Sequence, residues 1–274
     1  MTMTLSIIIL NYKQANLIKY QLKKLYHYNF EFDSEIIVID NNSHDDIQEI
    51  IIADFPKVKF IKSKNNLGYA GGNNLGIKRA QGNYILILNP DIRISQESIQ
   101  KMLDFLKKNP TVGLIAPRLI NADKTTQETC FQFPNWQYPL FRRTGFGKTK
   151  SGKKWLAKFL IKDFDHKSTR KVDWIMGACW MANKKTIQEI EYLDKNYFMY
   201  LEDMDLCRRL WNKNKAVYYL GEISAIHLHQ KASENKNIIY SLFFNKLSRI
   251  HLKSWFYYIK KWRGQKLPAP TLKK

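Results

Sequence analysis

Cysteine is scarce in this 274-residue chain. Three occur, Cys130, Cys179 and Cys207, far apart and with no C-x-x-C pair. That argues against a disulfide framework and a thiolate zinc site, and it fits a reducing cytoplasm. Long apolar runs are also missing. No segment reaches the ~18 consecutive apolar residues of a membrane-spanning helix. Leu5–Leu10, behind Met1-Thr2-Met3-Thr4, is too short for a secretory leader and lacks its charged start. The expectation is a cytoplasmic protein without a span of its own. No G-x-x-x-x-G-K-[ST] occurs, which argues against a P-loop NTPase, and no G-x-G-x-x-G follows the first apolar run, which argues against the dinucleotide fingerprint. Helix-turn-helix, zinc-finger and RNA-recognition signatures are absent.

Acid is scarce in one half only. Residues 1–135 carry 16 Lys/Arg and 13 Asp/Glu, whereas residues 136–274 carry 29 and 11, so most of the net charge of +21 sits in the second half. Residues 235–274 hold ten cations and no acid. Such a surface favours nucleic acid, phosphorylated ligands or an acidic membrane face. A non-catalytic nucleic-acid- or membrane-binding protein is the reading that charge alone permits.

What is present is an alternation of apolar runs and amphipathic stretches over the first 117 residues. Strands are expected at Leu5–Leu10, Glu35–Asp40, Val58–Ile61, Tyr84–Leu88 and Val112–Ala116. Helices are expected at 14–27, 45–54, 70–80 and 95–108. Continuous Ile-rich runs suit strands buried on both faces, so the fold class is α/β, a doubly wound and mostly parallel sheet. The rhythm breaks after residue 118. Residues 136–171, with 11 Lys/Arg and 2 Asp, read as a basic, mobile excursion. A second ordered block runs from Val172 to His229, with a short strand at Val217–Leu220. The tail from 235 to 274 is dense in cations and aromatics, among them Trp255, Phe256, Tyr257, Tyr258 and Trp262.

Several residues stand where chemistry is done in such folds. Open α/β sheets bind ligands at the C-terminal ends of their strands. Asp40 ends the second strand and Asp91 follows the fourth, in Leu88-Asn89-Pro90-Asp91. Between them, Asn65-Asn66-Leu67-Gly68-Tyr69-Ala70-Gly71-Gly72-Asn73-Asn74-Leu75-Gly76 reads as a glycine-rich turn feeding a helix, with amides free to face an anion. Glycines that let a helix pack closely are the plain alternative. One carboxylate beside a diphosphate is a reasonable site for a hard divalent cation. Glu202, Asp203 and Asp205 crowd three carboxylates into four residues ahead of an apolar-periodic helix. Crowded carboxylates raise one another's pKa, and a positioned one can serve as general base. His227 and His229, two apart on a strand, face the same side, and either can ligate a metal.

The ordered set of these segments resembles the family 2 glycosyltransferases with a GT-A fold, most closely their bacterial rhamnosyltransferase-like branch. Ile8-Ile9-Leu10-Asn11-Tyr12, Val38-Ile39-Asp40-Asn41-Asn42-Ser43, the glycine-rich segment and Asn89-Pro90-Asp91 carry the resemblance, followed by Val172-Asp173-Trp174-Ile175-Met176-Gly177 and Tyr200-Leu201-Glu202-Asp203-Met204-Asp205. It implies inverting transfer of a sugar from a nucleotide-diphospho donor to a hydroxyl of a glycan or polyprenyl-pyrophosphate-linked acceptor, in synthesis of cell-surface polysaccharide such as lipopolysaccharide O-antigen. The donor it points to is dTDP-L-rhamnose, with a UDP-hexose as the alternative.

By the same resemblance, Asp203 matches the catalytic base and Glu202 its acidic neighbour. Asn11, Tyr12, Asp40, Asn42, Asn66, Gly68, Tyr69, Asn73, Asn89 and Asp91 would line the nucleotide-sugar site. Trp174 and Gly177 would lie near the donor sugar or acceptor. Asp91 and His227 (or His229) would hold Mg2+ or Mn2+. Residues 1–117 would form the donor half, 118–234 the acceptor and catalytic half, and 235–274 a helical tail at the inner face of the cytoplasmic membrane. A nucleotidyltransferase is disfavoured because the loop after the first strand, Asn11-Tyr12-Lys13-Gln14-Ala15, has no glycine.

Overall fold

A computed structural model describes residues 3–134, 141, 145–228 and 246–268 of the chain. β1 (Leu5–Asn11), β2 (Ser34–Asp40), β3 (Lys59–Lys62) and β4 (Tyr84–Leu88) are parallel neighbours in the order β3-β2-β1-β4. Their side chains sort by alternation. Ile8, Ile37, Ile39, Ile85 and Ile87 enter one core, with Ala70 and Ile77 of α3 (Gly68–Arg79). Ile7, Ile9, Val38, Leu86 and Leu88 enter the other. That second core also takes α1 (Ala15–Leu25), α2 (Ile47–Asp54) and α4 (Gln96–Lys108). Period-two alternation on a strand covered on both faces requires this division.

The register aligns Asn11 with Asp40 at the C-terminal ends of β1 and β2. The sheet continues through β5 (Ile92–Ile94), β6 (Val112–Ile120), β10 (Cys179–Asn183) and β11 (Ala216–His227), in the order β4-β10-β6-β11-β5. Two further short strands, β7 (Cys130–Phe131) and β9 (Trp174–Ile175), form a separate pair, and β8 (Thr169–Lys171) adds to β11. The expected mostly parallel sheet is present, with antiparallel departures where β5 and β8 pair with β11 and at its centre. β10 runs antiparallel to both β4 and β6. β11 is much longer than its apolar run suggests. A register shift between Leu220 and Ser224 breaks the alternation that would have revealed it.

The excursion from 136 to 171 is not one long loop. Its described residues include α5 (Lys150–Phe159), capped by Thr149, whose hydroxyl accepts from the Gly152 amide. Trp155 stacks on Phe159, which is buried with Leu160 and Ile161, while Lys150, Lys153, Lys154 and Lys158 face solvent. Composition hid an amphipathic helix beneath its charge. α6 (Lys184–Glu189) and α7 (Glu202–Asn212) follow.

The C-terminal helix α8 (Lys246–Trp262) corrects the reading of the tail's aromatics. Trp255, Tyr258 and Trp262 are buried in the domain core rather than offered to a headgroup layer. Phe256, 68% exposed, is the one of the five named aromatics that points clearly outward. Tyr257 gives its hydroxyl proton to Asp194 Oδ2 at 2.9 Å.

Candidate functional site

The strand ends open into a cleft of about 530 Å3. Tyr12, Asn41, Asn66, Gly68, Tyr69 and Asn89 line one part of it, Phe198, Met199 and Tyr200 another, and Lys246, Leu247 and Ile250 a third. Asn11 and Asp40 lie behind the first part. Asn11 Nδ2 donates to Ser43 Oγ at 3.0 Å and Asp45 Oδ1 at 2.9 Å, and stands 3.3 Å from Asp40 Oδ1. Asp40 Oδ1 also accepts from the Ser43 amide at 3.0 Å, so this carboxylate shapes its own turn. Asn42 takes up a positive φ of 59° in that turn, and it is Asn41 that reaches the cleft. Asn41 bridges the two loops: Oδ1 accepts from Leu67 N at 2.8 Å, and Nδ2 donates to Asn66 Oδ1 at 3.0 Å and Gly68 O at 3.1 Å.

The glycine-rich segment works differently from its sequence reading. The amides of Leu67, Gly68 and Tyr69 are taken by Asn41, Asn66 and Phe198 O respectively, so they do not face an anion. Gly72 and Gly76 lie inside α3, where a Cβ would meet Leu10 or Ile8 and Ile39. They serve close helix-to-sheet packing. Asn73 is also in the helix, 1% exposed, and donates to Tyr69 O at 3.0 Å. Gly68 is the glycine the turn requires. Its φ is +70°, and a Cβ there would sit 2.1 Å from Phe198 O. Gly68→Ala is therefore expected to destabilise the fold by about 2 kcal/mol or more, a fall of roughly 4–8 °C in the thermal unfolding midpoint. An unchanged midpoint would show that the 67–69 and 198–200 loops are not held against each other as described.

Asp203 sits on the first turn of α7, beside Gly177 and the Tyr69 hydroxyl. Its Oδ2 accepts from Gly177 N at 2.9 Å and its Oδ1 from Met204 N at 2.8 Å. Tyr69 donates its hydroxyl to Gly177 O, tying α3 to the same turn. A Cβ on Gly177 would stand 3.3 Å from both Asp203 Cβ and the Tyr69 hydroxyl, so the site tolerates little bulk there. Tyr200 and Leu201, just before α7, have φ of 72° and 69°. Non-glycine residues hold that region at a cost of order 1 kcal/mol or more each, and only when their surroundings fix them.

Burial pushes the Asp203 carboxyl up to about 6, against hydrogen bonds from backbone amides, Gly177 N first, which pull it down. Glu202 is displaced well above the usual carboxylate range, first by burial and then by the charge of Asp203. Glu202 is biased further toward its protonated form than Asp203, whose two oxygens are each held by a backbone amide, so Asp203 is the better placed of the two to accept a proton. Tyr69 is also raised well above its ordinary value, by burial first and then by the charges of Glu202 and Asp203.

Asp205 takes no part in the cleft. It is 0% exposed and accepts from Arg209 Nε at 2.8 Å, Lys261 Nζ at 2.9 Å and Trp262 Nε1 at 2.9 Å. Trp174 is buried, stacked on Phe131 with 4.4 Å between centroids and donating to Gln132 O, and it does not line the cleft directly.

The Asp91 turn is fixed from beneath. Gln21, 2% exposed on α1, donates to Asn89 O and Ile92 O, both at 2.8 Å. His227, at the end of β11, brings Nε2 to 3.2 Å from Asp91 Oδ2. Its Nδ1 is 2.7 Å from Gln127 Oε1. Gln127 Nε2 donates to Asn121 Oδ1 and His227 O, which orients the amide so that Oε1 accepts from Nδ1–H. With Nδ1 turned to Gln127, Nε2 is the ring nitrogen that faces the Asp91 carboxylate, so the pair offers a cation one oxygen and one nitrogen ligand. Among the described residues no group of three or more His, Cys, Asp or Glu comes together to hold a metal. Water and phosphate oxygens would supply the other ligands. His229 lies outside the described residues.

Four contributors escape a reading by sequence. Gln21 leaves a signal, a polar residue between Ile18, Leu22 and Leu25 on the buried face of α1. Asn41 and Asp45 stand in or beside the strand-end motif, where nothing in the sequence separates them from Asp40 and Asn42. Gln127, 100 residues from His227, leaves none.

The sequence profile described as "Glycosyl transferase family 2" matches residues 6–190. This chain belongs to that family. The glycosyltransferase is 28% identical over 249 residues to the low-salt glycan biosynthesis hexosyltransferase Agl10 of Haloferax volcanii, covering 88% of this chain and 74% of that protein. It is 25% identical to the rhamnosyltransferase WbbL of Escherichia coli over 92% of this chain and 91% of that one. It is 25% identical to the N-acetylglucosaminyl-diphospho-decaprenol L-rhamnosyltransferase of Mycobacterium tuberculosis, over 72% of this chain and 66% of the relative. Solved glycosyltransferases share the GT-A fold. Residues 1–349 of S. aureus TarS superpose with a TM-score of 0.57 at 15% identity, covering 82% of this chain and 60% of that one. The mannosyltransferase of Pyrobaculum calidifontis, solved with GDP-Man and Mn2+, gives 0.57 at 14% identity, covering 85% and 59%.

Proposed function

We propose that this glycosyltransferase transfers a sugar with inversion from a nucleotide-diphospho donor to an acceptor hydroxyl, with Asp203 as general base. The single observation that carries the reading is the placement of Asp203, whose two oxygens are held by Gly177 N and Met204 N beside the Tyr69 hydroxyl; burial also raises its carboxyl to about 6. Asp203 takes the proton from the acceptor hydroxyl, whose oxygen attacks the anomeric carbon opposite the diphosphate. Tyr12, Asn41, Asn66 and Asn89 offer hydrogen bonds to the nucleotide sugar, with Asn11 and Asp40 behind them. Asp91 and His227 would hold Mg2+ or Mn2+, which when bound would supply positive charge against the leaving diphosphate. Residues 1–117 supply the donor half and residues 118–234 the acceptor half.

L-Rhamnose from a dTDP donor is the first reading of the sugar, supported by the two rhamnosyltransferase relatives. A hexose donor is the second, favoured by the hexosyltransferase relative. The acceptor we propose is a sugar on a polyprenyl diphosphate, as in the name of the mycobacterial relative. A panel of dTDP-rhamnose, UDP-glucose, UDP-galactose and UDP-N-acetylglucosamine, with and without Mg2+ or Mn2+, tests the donor. Release of dTDP from dTDP-rhamnose only with the cation is expected. Turnover of a UDP-sugar instead would replace rhamnose with a hexose.

Such an acceptor would put the enzyme at the inner face of the cytoplasmic membrane. No described helix is long and apolar enough to cross a bilayer. The outward side of α8 offers Phe256 and Ile259 beside exposed Arg249, Lys253, Lys260 and Arg263. Each cation near an anionic surface contributes on the order of 1 kcal/mol. Liposome co-sedimentation is expected to require anionic lipid, weaken with salt and fall in Lys253→Glu/Lys260→Glu. Equal sedimentation with neutral liposomes, or none with anionic ones, would favour a soluble acceptor.

A further inference from the structure

We infer that the C-terminal helix α8 completes the nucleotide-sugar pocket: Leu247 and Ile250, on its first turns, form an apolar wall against the donor nucleotide. The family match ends at residue 190, so this wall is built by a segment beyond it. Lys246, Leu247 and Ile250 line the same cleft as Tyr12, Asn41, Asn66 and Asn89. Their spacing puts 246 and 250 one helical turn apart, with 247 beside them on the same side. Phe198 and Met199 extend the apolar surface, so the cleft has an amide-rich side and an aliphatic side. A nucleoside has both characters, hydrogen-bonding edges and an apolar ring face.

The helix is held in this position. Ser254 Oγ donates to Met199 O at 2.9 Å, and His251 meets the Tyr200 ring edge-on at 5.1 Å. At its far end Lys261 and Trp262 grip buried Asp205, and Arg208 Nη1 donates to the Tyr258 hydroxyl at 3.2 Å. The inner face is thereby anchored to α7 and to the loop ahead of it, and the first turns project to the cleft. Cations and Phe256 occupy the other side.

The inference rests on the nucleotide-sugar reading of the cleft. Calorimetry on the full chain, with UDP and dTDP in turn and magnesium present, separates the two. Leu247→Ala/Ile250→Ala is expected to bind about 5–20-fold more weakly than wild type, because the shortened side chains leave the ring face of the nucleoside in water. Its unfolding midpoint should change little. Ile250→Trp, which adds bulk at the cleft, is expected to weaken binding as well. Phe256→Ala, on the exposed side of the same helix, keeps wild-type affinity. Wild-type affinity in both the double variant and Ile250→Trp would overturn the wall while leaving the nucleotide reading intact. An equal loss in Phe256→Ala would make α8 a brace rather than a binding surface. Failure of the wild type to bind either nucleotide would overturn the reading and the inference together.

Discussion

Asp203→Asn should fold, bind donor nucleotide as the wild type does, and turn over about 10²–10⁴-fold more slowly. The amide keeps the shape of the carboxylate and an oxygen for one backbone amide, but it cannot accept the acceptor's proton. Its two neighbours should respond differently. Glu202→Gln replaces a group that burial and the charge of Asp203 bias toward its protonated form, so the effect on turnover should be smaller. Asp205→Asn breaks a buried network with Arg209, Lys261 and Trp262, so it should lose stability by about 3–5 kcal/mol rather than chemistry alone. Near-normal turnover in Asp203→Asn with a dead Glu202→Gln would move the base to Glu202.

The pH dependence follows from the same carboxyl. With Asp203 raised to about 6, its base form is depleted below that pH, and kcat/KM should fall about tenfold per pH unit on the acid side. Stability runs the other way. Between 3.8, its ordinary value, and about 6, the native state binds a proton that the unfolded chain does not. Stability therefore falls as pH rises through that window. Asp203→Asn should flatten this slope, which thermal melts between pH 4 and pH 7 would read directly.

Asp91→Asn should abolish metal-dependent binding of the donor and reduce transfer by more than about 10²-fold. The variant keeps the turn, which Gln21 holds through the Asn89 and Ile92 carbonyls, so the fold should survive. What goes is the anionic ligand, leaving a neutral amide opposite His227. Calorimetry with UDP or dTDP should show affinity rising with magnesium for the wild type and unresponsive for the variant. Identical magnesium-dependent affinity in both would remove Asp91 from the cation site.

The sheet was legible because its strands carry simple signals. Leu5–Leu10 and Tyr84–Leu88 are unbroken apolar runs, and by the geometry of parallel strands the residues at or just past their ends, Asn11, Asn89 and Asp91, fall at one edge of the sheet, where Asn89 lines the cleft and Asn11 lies behind it. β10 was less visible because five residues shared by antiparallel partners look like any short apolar stretch. α5 was hidden by lysines on its solvent face. α8 was expected as a helical tail, but its charge pattern suits a membrane equally well until Trp255, Tyr258 and Trp262 are seen to be buried. At the site, motif residues could be named, but their partners could not. The glycine-rich segment suggested free amides, whereas Asn41, Asn66 and Phe198 occupy them. The bonds from Gln127 to His227 and from Lys261 to Asp205 join residues 100 and 56 apart, where no local pattern reports a partner.

The most direct test of the central claim is the anomeric configuration of the product, followed by proton NMR with the nucleotide sugar that is turned over, Mg2+ or Mn2+, and a prenyl-diphosphate-linked N-acetylglucosamine. The wild type is expected to form a glycoside of configuration opposite to the donor's, in step with release of the nucleoside diphosphate. Chelation of the cation or Asp203→Asn should stop both. A product that retains the donor's configuration, or one formed at the wild-type rate by Asp203→Asn, would contradict single displacement by an Asp203-activated hydroxyl.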